Sequence, residues 1–210
     1  MRDRLLGLLL FLPVPLVLWL FTRQPLGTLA SLAVGFALMA THRLYARPFA
    51  RSRAERRCLW CGRAAGEGPA LRVREPFGPT SWRACGDDHA RRVGGALAWA
   101  AAHARLVKVG ILGTLVAFLL AGLATALGRS GALGADDAVA FFRLGIAVTV
   151  LPLGFWSAVP RPAEAEARVP FPLHIQALIG TAWVLWLFRL VGLWWLGAAS
   201  FHVARRLGLA

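Results

Sequence analysis

Apolar residues along this chain arrive in long runs, not in the short periodic stripes of a soluble fold. They cover Leu5 to Phe21, Leu26 to Ala40, Val107 to Leu127, Ala138 to Val159, and about Leu173 to Ala199. Roughly 20 apolar residues, each rising about 1.5 Å in a helix, cross the hydrocarbon of a bilayer. The pattern therefore predicts about five transmembrane helices. The first run, behind Arg2 and Arg4, has the shape of a signal peptide, but no A-x-A-like site follows and the chain continues TRQPLG. An uncleaved span is the expectation, and a four-span chain is its competitor. Pro13 and Pro15 should bend this first helix. Small residues recur four apart at Gly27, Ser31 and Gly35, and again at Gly113, Ala117 and Ala121. That spacing lets a second helix approach closely.

Between the second and third runs the pattern changes. LRVRE (71–75) alternates apolar and basic residues, TSWRA (80–84) is a second short strand, and PFGP between them is turn chemistry. Residues 88–103 are apolar in the middle and basic at both ends, which suggests a helix lying along the membrane interface. Four regions follow: a transmembrane hairpin (1–45), a basic juxtamembrane linker (46–57), a metal-binding domain (58–95) and a three-helix membrane region (96–210). Residues 160–172 read as an ordinary loop.

Composition supports the membrane reading and charge orients it. The chain is 58% hydrophobic, with nine tryptophans, yet has a formal charge of +14. Residues 43–108 hold fourteen basic side chains against five acidic ones. Basic residues stay on the cytoplasmic side, so this segment is expected there, in a bacterial inner membrane. Arg205 and Arg206 would then lie outside in a five-span chain, in conflict with the rule. The stretch HRLYARPFARSRAERR (42–57) carries six arginines directly after a span. Anionic lipid headgroups are its first expected partner. A protein comes second and nucleic acid last, despite the interleaved aromatics.

Three cysteines are an odd number, so disulfides within the chain cannot use them all. Their spacing points elsewhere. Cys58 and Cys61 form a C-x2-C pair followed by Gly62; 23 residues later come Cys85 and His89 as C-x3-H. Four ligands of zinc-preferring type in two close pairs are what a closed tetrahedral site requires. A helix beginning near Gly86 would put Cys85 and His89 on one face. Knuckle, hairpin and helix in this order resemble a treble-clef zinc finger over residues 56–95, with the C-x3-H pair as a variant. The segment offers few core residues, and a structural zinc ion contributes roughly 10 kcal/mol or more to folding such a module. No spare glutamate stands beside the ligands, so a structural ion is favoured over a catalytic one.

Arg143 and Arg189 interrupt the fourth and fifth runs. Both are expected about 10 Å below the outer surface, snorkelling, pairing with Asp136 and Asp137, or jointly holding an anion such as a lipid phosphate. His42, His103 and His174 fall near one end of the spans and read as interfacial, not as haem ligands. Trp183, Trp186, Trp194 and Trp195 read as lipid-facing belt residues. There is no nucleophile elbow, P-loop, HExxH or dinucleotide fingerprint. The expected fold is thus an α-helical integral membrane protein with a small treble-clef-like α+β zinc domain between helices 2 and 3. Its expected role is docking within a membrane complex, without catalysis. A small transporter or enzyme acting on an anion at Arg143 and Arg189, and a membrane-tethered zinc-finger regulator, are the rivals.

Overall fold

The computed structural model describes residues 9, 12–13, 16–17, 19–20, 28–41, 44, 47–76, 78–128, 134–156, 159, 167–169 and 173–209. Most of the Leu5–Phe21 run, Gly27, His42 and most of the 160–172 segment lie outside them. In chain order the elements are α1 (Thr28–Thr41), α2 (Arg47–Ala54), β1 (Ala70–Glu75), β2 (Gly78–Arg83), α3 (Asp87–Ala102) and α4 (Ala104–Ala126). Then follow α5 (Ala135–Trp156), β3 (Ala167–Arg168), α6 (His174–Ile179) and α7 (Thr181–Arg206). Among the described residues, three helices are long and apolar enough to cross a membrane: Ala104–Thr125, Asp136–Trp156 and Thr181–Arg206. The 14 residues of α1 rise only about 21 Å, less than the roughly 30 Å of bilayer hydrocarbon.

Helix α5 is the centre of the membrane part, packing on α4 along one side and on α7 along another. Gly110 and Thr114 of α4 interlock with Thr149 and Gly145 of α5, so that a Cβ on either glycine would strike the opposite threonine. This is the small-residue packing expected of membrane helices, moved by one turn. Gly113 has open space beside it and is not the contact. The antiparallel register of α5 and α7 follows from Gly154 beside Arg189, Leu151 beside Gly192, and Asp137 beside Arg206. Leu190, Trp183, Trp186 and Trp194 are exposed, as lipid-facing residues must be. Trp195 departs from that expectation and turns inward against Phe142, ring centroids 5.9 Å apart.

The small domain is built on the alternation of LRVRE. Residues 71, 73 and 75 face inward, while Arg72 and Arg74 face out. β1 pairs antiparallel with β2, Leu71 opposite Trp82 and Val73 opposite Thr80. Its other edge pairs in parallel with β3, giving the order β2-β1-β3. The third strand comes from the segment expected to be plain loop, a difference with a physical reason: it covers an edge whose N–H and C=O groups would otherwise be unpaired. Leu71, Val73 and Trp82 pack on Val93 and Leu97 of α3 and on Leu173, Ala177 and Leu178 of the α6 region.

One helix expectation needs correction, and α3 is more enclosed than a helix resting on a membrane surface would be. Residues 93 to 100 are buried without a break, because the sheet covers one side while Trp99 meets Leu153 of α5 and Phe188 of α7 on another. The last run is not one helix from Leu173. It divides at Gly180, whose φ of 104° suits glycine and strains any other residue. The membrane helix starts at Thr181 and runs to Arg206.

Candidate metal centre

The C-x2-C turn closes through its own backbone. The Cys58 N–H donates to the Arg63 carbonyl at 2.7 Å and the Gly62 N–H to the Cys58 carbonyl at 2.8 Å. Arg57 adds a guanidinium bond to the Gly62 carbonyl at 2.6 Å. Gly62 has φ +67°, and a Cβ there would meet the Ile179 carbonyl oxygen at 2.6 Å, so turn geometry and packing both demand glycine. The second pair straddles the start of α3, with Cys85 just before it and His89 in its first turn. The knuckle is tied to β2 by the Leu59 N–H, which donates to the Arg83 carbonyl at 2.9 Å.

These constraints bring Cys58, Cys61, Cys85 and His89 together, their ligand atoms all within 4.8 Å of one another. Ion–sulfur and ion–nitrogen bonds of about 2.3 and 2.0 Å imply tetrahedral edges of about 3.8 Å between sulfurs and 3.6 Å between sulfur and nitrogen. Cys61 and Cys85 Sγ are 3.8 Å apart, and Cys58 Sγ lies 3.6 Å from His89 Nδ1. The Cys85 Sγ to His89 Nδ1 separation, 2.9 Å, is shorter than such an edge and must open on metal binding. The group is positioned to bind a metal ion, and its donor set is consistent with zinc.

Electrostatics agree. Burial pushes the Cys58 thiol up, but backbone N–H groups of Cys61, Cys85 and Trp60 outweigh it and lower the pKa below the ordinary 9.0. Cys85 goes the other way, to about 12, through desolvation, hydrogen bonding to Cys58, and repulsion from Cys58 and Cys61. Three sulfurs this close cannot all ionise without a cation among them. Asp88 is engaged by Arg92 at 2.9 Å, a surface pair along the helix.

One feature of this centre had no signal in the cysteine spacing. The two residues inside the C-x2-C turn cap the last membrane helix. The Leu59 carbonyl accepts from the Thr181 N–H at 2.9 Å and from Thr181 Oγ1 at 2.6 Å. The Trp60 carbonyl accepts from the Ala182 N–H at 3.1 Å. The first N–H groups of a helix lack intrahelical partners, and here the knuckle supplies them. Gly180 makes this approach possible, since a Cβ there would meet the Trp60 oxygen at 2.8 Å. Glu75 completes the junction: buried, it accepts from Trp82 Nε1 (2.8 Å), Thr80 Oγ1 (2.7 Å) and the Leu173 N–H (3.2 Å). Alternation in LRVRE puts Glu75 on the apolar face, and that was the available signal.

Arg143 and Arg189 are not brought to a common depth. Arg189 donates from Nε to the Gly154 carbonyl at 2.8 Å and lies over the Phe155 and Trp186 rings, 5.1 Å from each centroid. Given the register, Arg143 lies about 11 residues, or roughly 16 Å, farther from the metal-centre end of the bundle. The expectation of equal depth fails because the last helix starts at Thr181 and continues to Arg206. Asp137, expected beside those arginines, is held by His202 and Arg206 instead. His103 stacks on Trp99, centroids 4.2 Å apart, with its Nδ1 2.9 Å from the Trp99 carbonyl. No family model, no curated protein and no solved structure matches this chain.

Proposed function

We propose that this chain is a non-enzymatic, multi-pass protein of a bacterial inner membrane, whose Cys3His module holds a structural zinc ion and serves as a docking platform in a membrane complex. Four protein ligands fill every position of a tetrahedral ion, leaving none open for water or substrate. The knuckle, hairpin and helix, in chain order with ligands in the first and last, support a treble-clef-like description.

The observation that carries the reading is the capping of α7 by Leu59 and Trp60. An ion that fixes Cys58 and Cys61 also fixes the two carbonyls between them, and so the angle at which the module meets the membrane helix. A platform needs that rigidity; a tethered regulator does not. The outer face of the sheet then presents Arg72, Arg74, Arg83 and Arg168, all exposed, toward an acidic surface on a membrane or cytosolic partner, with the module on the cytoplasmic side.

Purification of the intact chain from its native membrane in mild detergent tests this. An equimolar protein should co-elute with the wild type and be lost from an Arg72→Glu/Arg83→Glu variant that keeps its metal. A wild-type chain that purifies alone, or a partner indifferent to the charge reversal, rejects the docking role.

A further inference from the structure

The Arg189 guanidinium is held in place by few of its donors. Its Nε donates to the Gly154 carbonyl at 2.8 Å, in the last turn of α5, where a helix leaves carbonyls unpaired. The Phe155 ring of α5 and the Trp186 ring of α7 each lie 5.1 Å from Cζ, close enough for a ring face to attract the cation. Nη1 and Nη2 carry the other four of its five N–H donors, and among the described residues no protein group accepts from them. No described carboxylate balances the charge either. Asp137 is turned to His202 and Arg206 at the opposite end of α5.

The depth of this cation follows from the packing. Val107 of α4, Leu153 of α5 and Phe188 of α7 meet in one cluster, so the residues next to them, Lys108, Gly154 and Arg189, stand at one level of the bundle. Lys108 and, one turn nearer the module, Arg105 are exposed. So are Phe155, Trp156 and Trp186. Basic and aromatic side chains at one level are the composition of a membrane boundary, here on the metal-centre side. Farther from the module, Leu190, Leu193 and Trp194 of α7 are exposed, an apolar surface fit for acyl chains.

We propose that Arg189 holds one phospholipid of the leaflet on the metal-centre side, its phosphate on Nη1 and Nη2 and its acyl chains along Leu190 and Leu193. A charge at this depth is costly without a counter-charge, and phosphate is the anion that headgroups supply there. Guanidinium meets phosphate oxygens with paired, planar donors, and the Gly154 bond and the two rings fix that plane beforehand. Arg143, roughly 16 Å farther along the bundle, takes no part. Lipid capture at Arg189 depends on the membrane placement of α4, α5 and α7, not on the metal or on a docked protein.

The test reconstitutes the intact protein in nanodiscs of phosphatidylcholine and phosphatidylglycerol, with diacylglycerol as a phosphate-free third lipid, then releases it gently for native mass spectrometry. The wild type should retain one phospholipid per chain, and diacylglycerol about tenfold less often. Arg189→Gln should reduce phospholipid retention about tenfold or more, with helicity and metal content unchanged. Trp186→Ala removes an exposed ring that steadies the guanidinium, and should reduce retention about twofold to fivefold. A lipid-free wild type overturns the proposal, as does wild-type retention by Arg189→Gln. If Arg189→Gln loses helicity, unchanged retention by Trp186→Ala overturns it instead. Equal retention of diacylglycerol would mean that acyl chains alone are held, and displacement of the lipid by added inorganic phosphate would make a free anion the ligand; either result also overturns it.

Discussion

Glu75 joins three parts of the module through one carboxylate: Trp82 and Thr80 on the neighbouring strand and the Leu173 N–H ahead of α6. Glu75→Gln keeps one acceptor but turns an NH2 group toward the Leu173 N–H. The expected cost is about 1–3 kcal/mol, seen as a lower unfolding midpoint of the metal-loaded protein. Gly180→Ala should cost about 2–4 kcal/mol, combining a left-handed backbone with a Cβ against the Trp60 carbonyl. The thiols predict a pH dependence. Cys85, raised to about 12, keeps its proton at neutral pH until an ion displaces it. The metal-free state thus holds protons that the bound state does not, so metal affinity rises with pH, by about tenfold per unit for one proton. Competition with a chromophoric chelator from about pH 6 to 8 measures that slope. The four ligands were legible because their spacing is local. The partners of Glu75 and Gly180 were not, since Leu173 and Trp60 are about a hundred residues away in sequence.

Elements were legible where local chemistry decides them. The strands at LRVRE and TSWRA, the helix after Gly86 and the third and fourth apolar runs all formed close to their expected bounds. β3 was not, because two residues carry no periodicity and the strand exists only by pairing with β1. Nor was the start of α7, where an apolar run continues unbroken across a helix break. That break places the knuckle as the helix cap. Stripping the metal with a chelator should therefore speed amide exchange at Thr181 and Ala182, inside a membrane helix, with little change near Gly192. Unchanged exchange at those two amides would mean that the junction holds without the ion.

Across the whole molecule, the metal module and the membrane bundle are joined at several points. The chain enters the module before β1, leaves through α3 into α4, returns as β3 and α6, and leaves again as α7. The sequence suggested an independent insert of 58–95, because ligands and hairpin are contiguous there. The module's core also uses Val169, Leu173, Ala177 and Leu178, which look like loop and span when read alone. The membrane character was plain from apolar length, whereas the cluster of Asp137, His202 and Arg206 depends on helix pairing over some 65 residues. The whole account rests on an ion at Cys58, Cys61, Cys85 and His89. Elemental analysis of the intact chain, purified in mild detergent and checked for native helicity, tests it most directly. One zinc per chain is predicted, falling to a small fraction in Cys61→Ser; a natively folded, monodisperse wild type without bound metal would contradict it.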